Sequence, residues 1–112
     1  MEILPEIKIQ DTKLYRALNK FSQDPNNVES NIALAKHYFN IKEYGSVVSF
    51  LNRINELSDN DDIVYESLVL SAECCDKIKE RTHQIKTSLA QAIALCPERP
   101  EAYYKLCKVL RS

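Results

Sequence analysis

Residues 31–44, NIALAKHYFNIKEY, set Leu34, Ala35 and Tyr38 at the three- and four-residue steps of one helix face before the chain turns at Lys42-Glu43. Similar wording returns at residues 65–75 as YESLVLSAECC and at residues 103–110 as YYKLCKVL. Aligned on their leucines, the stretches read Asn31, Leu34, Ala35, Tyr38, then Tyr65, Leu68, Val69, Ala72, then Tyr103, Leu106, Cys107, Leu110. Leu34 and Leu68 stand 34 residues apart and Leu68 and Leu106 stand 38 apart, which marks an internal repeat. The extra four residues are assigned to the connection CDKIKERTH, residues 75–83.

A second set of stripes alternates with the first. Val47, Val48, Leu51, Ile54 and Leu57 recur at helical spacing, as do Ile85, Leu89, Ala92, Ile93 and Cys96. Each of the first two occurrences therefore has an antiparallel mate. The boundaries carry capping and helix-stopping residues: DPNN at 24–27, SDNDD at 58–62 and CPERP at 96–100, with Pro100 suited to a first helical turn. Upstream, DTKLYRALNKFSQDP puts Leu14, Leu18 and Phe21 on one stripe and ends at Asp24-Pro25. One all-α domain over 1–112 is predicted, with a capping helix at 12–23, a first pair at 28–59, a second at 62–97 with a loop insertion near 76–82, and a half repeat at 100–111.

The repeated positions have a packing logic. Leu34, Leu68 and Leu106 are expected to fill the seam within a pair, while Ala35, Val69 and Cys107 let neighbouring helices approach to roughly 8–10 Å. A pair cannot bury both of its faces alone, so pairs stack into a superhelix. The last helix lacks a mate in this sequence and leaves Tyr103, Leu106, Val109 and Leu110 either as a cap or as an edge for another chain, a homodimer through this helix included.

These residues resemble the tetratricopeptide repeat, a helix-turn-helix unit of 34 residues with this spacing of large residue, leucine, small residue and tyrosine, and with a proline after the second helix. The resemblance covers about residues 12–112 and is strongest in NIALAKHYFNIKEY and in LAQAIALCPERPEAYYKL. It departs from the pattern at Asn31, at Ala72 and at the turn residues Lys42-Glu43. It implies an α-α superhelix of about two and a half repeats that works as a non-enzymatic scaffold, binding a protein or peptide through its concave groove or its C-terminal edge. A narrower resemblance joins residues 61–110 to tetratricopeptide segments attached to family 2 glycosyltransferases. It implies, as the alternative, an accessory domain that orients substrate or partner for such an enzyme.

Composition agrees with a helical binding module. A chain of 112 residues with 45% hydrophobic and 28% charged residues suits one globular domain, and its single glycine, Gly45, leaves little material for the tight turns of sheets. Fifteen basic and sixteen acidic residues give a net charge of -1, which does not favour nucleic acid or an anionic membrane. No stretch reaches the length of a membrane span, and the N-terminal MEILPEIKIQ lacks the basic and unbroken apolar pattern of a secretion signal. The four cysteines, Cys74, Cys75, Cys96 and Cys107, lack metal-ligand spacing and read as reduced, buried thiols of a cytoplasmic protein.

No constellation for catalysis emerges. His37 and His83 lie in different repeats without a spaced nucleophile or carboxylate. The acidic neighbours Glu73 and Asp76 disfavour a thiolate at Cys74 or Cys75. The DNDD run at 59–62 lacks the glycine and terminal glutamate of a calcium loop and reads as a helix cap. Neither a cofactor nor a metal is expected. The first-helix positions left over from the core would face the groove: Glu29, Ile32, Lys36, Phe39 and Asn40, then Glu66, Leu70 and Glu73, then Tyr104, Lys108 and Arg111. The groove is thus expected to be acidic in its middle, where Glu66 and Glu73 select basic ligands, and basic towards the C-terminus.

Overall fold

The computed structural model describes residues 9–79 and 82–111. Six helices follow one another: α1 (Ile9–Gln23), α2 (Val28–Asn40), α3 (Tyr44–Leu57), α4 (Asp61–Lys77), α5 (Thr82–Leu95) and α6 (Glu101–Arg111). No strand occurs among the described residues. Each helix packs against the one before and the one after it in the chain, and the stack extends over 53 × 29 × 21 Å. Of the connection around 76–82, Asp76 and Lys77 belong to the last turn of α4, whereas residues 80 and 81 lie outside the described residues.

The helix ends are built by local hydrogen bonds. Asn27 caps α2 with its Oδ1 accepting from the Ser30 amide at 2.8 Å. Asn31, which stands where the repeat usually has an aromatic residue, is fully buried and donates from Nδ2 to the carbonyls of Pro25 at 2.9 Å and Asn27 at 2.8 Å. It therefore fastens the α1–α2 turn instead of filling space with a ring. Asn60 caps α4, its Oδ1 accepting from the amides of Asp62 and Ile63, and the acidic pair Asp61-Asp62 occupies the first turn, where the helix dipole favours negative charge. Between α2 and α3, Lys42 adopts φ 65°, while its amide donates to the Phe39 carbonyl and the Glu43 amide to that of Tyr38. This pair of bonds closes α2 with a left-handed residue, the position that glycine usually takes.

One continuous core runs along the stack. Val47, Val48, Leu51 and Ile54 of α3 and Ile85, Leu89, Ala92 and Cys96 at α5 are buried, as both second-helix stripes require. Leu34 and Ala35 are buried in α2, and Leu68, Ala72, Cys74 and Cys75 in α4. Ser67 ties α4 to α3 by donating from Oγ to the Leu51 carbonyl at 3.2 Å. Two expectations about the ends need correction. In α1 Ala17 is buried, whereas Leu18 is 38% exposed, because among the described helices α2 covers one side of α1. In α6 Cys107 is exposed and not a buried thiol, because α5 is the helix that packs on α6 and Cys107 points elsewhere.

Candidate functional site

Between α2 and α4 lies an open cleft of about 250 Å³. Ile32 and Lys36 contribute from α2, and Ile63, Glu66 and Leu70 from α4, over a floor that includes Ala35, Leu51, Ile54 and Ser67. The spacing explains the gathering: Ile32 and Lys36 are four residues apart on α2, and Glu66 and Leu70 four apart on α4, so each pair projects from one face. Apolar side chains cover the interior and one charge of each sign stands on the rim.

The acidic side continues towards α6. Glu66, Leu70 and Glu73 share a shallow depression with Tyr65, Val69, Arg99 and Glu101. Glu73 also borders a cleft of about 240 Å³ between α4, α5 and α6, where Asp76 stands on the α4 side and Lys105, Lys108 and Val109 on the α6 side. Of the residues expected in the groove, Ile32, Lys36, Glu66, Leu70, Glu73 and Lys108 are thus strung along these depressions. The remainder sit apart from them. Glu29 is exposed in the first turn of α2, Phe39 is half-buried edge-on against Tyr44 with centroids 5.7 Å apart, Asn40 lies towards α1, Tyr104 is 71% exposed and Arg111 is exposed at the end of α6.

Arg99 organises the middle of this surface. Its guanidinium lies 3.5 Å from Asp62, 3.7 Å from Glu66 and 3.4 Å from Glu101, and it sits 4.2 Å from the centroid of the Tyr65 ring. Burial disfavours its charge, but the hydrogen bond and charge of Glu101, with Glu66, outweigh that and raise its pKa. Glu101 is held below the usual carboxylate range by a hydrogen bond from its own backbone amide and by Arg99, against a smaller opposing effect of burial. The Tyr65 hydroxyl accepts from the Ala102 amide at 3.0 Å and has Glu101 Oε1 and the Arg99 carbonyl within reach of its proton at 3.2 and 3.4 Å. Burial raises its pKa. Helical spacing does not reveal this network, since it joins groups 33 to 37 residues apart in sequence. The one visible signal was Arg99 itself, a charge between two prolines.

The thiols next to the groove are poor nucleophiles. Burial, and after it the charge of Glu73, pushes the Cys74 thiol up to about 12. Burial likewise raises Cys96, with Glu98 and Asp62 adding to it. All four cysteines are free thiols. Among the described residues no group of three or more His, Cys, Asp or Glu side chains is arranged to hold a metal ion, and no helix is long and apolar enough to cross a membrane.

No protein-family model and no curated protein matches the chain. Among solved structures it is similar to the crystal structure of MamA, a tetratricopeptide-like protein, with a TM-score of 0.74 and 26% sequence identity. The match covers 92% of this chain and 63% of that one, so the chain spans less than two thirds of MamA's length. Nothing in these comparisons supports the narrower link to glycosyltransferases. The internal repeat, the sequential helix packing and this likeness agree: the chain has a tetratricopeptide-like helical-repeat fold.

Proposed function

We propose that the chain is a protein-interaction module that holds a peptide segment along the α2–α4 cleft and its continuation towards α6. The observation that carries this reading is the cleft itself, where Ile32, Ile63 and Leu70 present an apolar interior beside Lys36 and Glu66. A segment laid there would bury apolar side chains and orient itself by the rim charges, a combination suited to peptide recognition. The likeness to a tetratricopeptide-like protein supports an interaction role, and the raised thiol of Cys74 supports binding over nucleophilic chemistry.

The acidic residues differ in what they offer a ligand. Glu66 already shares its charge with Arg99 at 3.7 Å, whereas Glu73 makes no ion pair with a described residue. Glu73 therefore selects a basic side chain more strongly than Glu66 does. Binding to an array of random peptides tests this. The expected consensus places Lys or Arg next to aliphatic residues, and Glu73→Lys abolishes the basic preference while Glu66→Lys weakens it less. A consensus unchanged in both variants would remove these residues from the site.

A further inference from the structure

A second cleft, of about 480 Å³, lies on the other side of α2 and is independent of the reading above. Lys13, Leu14 and Ala17 of α1 face Lys36, His37 and Asn40 of α2 across it. Among the described residues, no aspartate or glutamate lines it. Neither Lys13 nor Lys36 is ion-paired with a described residue. Its floor is apolar: Ala17 is buried, Leu14 is half-buried, and Ile41 at the mouth is 52% exposed. Lysines over apolar ground can lay their stems along it and keep the ammonium groups free for an anion.

We propose that the α1–α2 cleft binds an acidic peptide segment, with one aliphatic side chain entering between Ala17 and Ala33 and flanking carboxylates pairing with Lys13 and Lys36. Charge complementarity selects this occupant: among the described residues the cleft carries cations from both walls and no carboxylate, while the surface beyond α4 carries Glu66, Glu73 and Asp76. The aliphatic floor favours a peptide over a bare polyanion, which has nothing to bury there. Lys36 borders both clefts, whereas Lys13 and Ala33 border this one only, so variants at these two positions report on it separately.

The test is fluorescence anisotropy with a labelled peptide of alternating Glu and Leu, alongside a Lys and Leu peptide, a Glu-only peptide and phosphatidylserine vesicles. Saturable binding of the Glu and Leu peptide is expected, with affinity lowered about fivefold or more by Lys13→Glu, as a lost and reversed charge contact implies. Ala33→Leu, which fills the cleft without altering charge, should weaken it comparably, while Lys86→Glu on the exposed side of α5 leaves it unchanged. Circular dichroism of each variant checks that helicity is retained. Equal loss in Lys86→Glu, equal binding of the Glu-only peptide, absence of saturation, or vesicle binding that is stronger and survives Ala33→Leu would each overturn the proposal.

Discussion

Lys42 holds φ at 65°, a conformation in which its Cβ crowds the following carbonyl and which costs an L-residue roughly 1–2 kcal/mol relative to glycine. Replacing it by glycine removes that crowding while keeping the two backbone bonds that close α2. Part of the gain is lost to the greater freedom of glycine in the unfolded chain. Lys42→Gly is expected to stabilise the protein by about 0.5–1 kcal/mol, read as a higher urea midpoint with an unchanged slope. Tyr65 is the opposite case, a side chain whose polar tip is indispensable. Tyr65→Phe leaves the buried Ala102 amide without its acceptor and should cost about 1–3 kcal/mol. Its titration adds a pH signature. Because burial raises its pKa above 10.0, the unfolded chain loses this proton first, so the contribution of Tyr65 is complete below pH 10.0 and falls away as pH rises past it. A melting temperature that declines equally steeply above that pH in Tyr65→Phe would assign the alkaline loss to other groups.

At the level of helices, the stripes of α3 and α5 were legible because helices stand on both sides of them, so the apolar positions at the right spacing are buried except Leu57 and Ile93, which are half-buried. The terminal helices were less legible for the same physical reason. With a single neighbour among the described helices, α1 buries the small Ala17 and leaves Leu18 exposed, and α6 leaves Cys107 and Leu110 in solvent. Periodicity gives the face of a helix but not which edge of that face its neighbour covers. The α2 and α4 members of the candidate site could be read for a related reason, since positions four apart share a face. Arg99 could not, because its partners Asp62, Glu66 and Glu101 meet it through the stacking of α4 on the α5–α6 corner. Thiol labelling measures the asymmetry of burial directly. In the native protein Cys107 should react promptly, while Cys74, Cys75 and Cys96 are protected until the chain is unfolded. Prompt labelling of Cys74 would mean that α4 opens readily or is packed differently.

For the whole molecule, the α6 end presents a mixed aromatic and basic surface. Tyr103, Tyr104 and Leu110 are 46%, 71% and 62% exposed, and Lys105, Lys108 and Arg111 are interleaved with them. A two-fold contact between copies would set this basic face against its own image, with like charges opposed. Light scattering over a concentration series should therefore return the mass of a single chain. A dimer that forms with concentration and is dispersed by Leu110→Glu would instead identify α6 as a surface for self-association.

The sequential packing of the six helices also bears on how the molecule comes into being. Since every helix finds its neighbours immediately before and after it in the chain, little loop entropy separates one contact from the next, and folding can spread from any pair that forms first. On a ribosome, α2 and α3 can associate before α6 has been synthesised. Loss of order should run the other way, with amide protons at the two ends exchanging before those in the middle, so that α1 and α6 can loosen while the α3–α4 seam keeps its form.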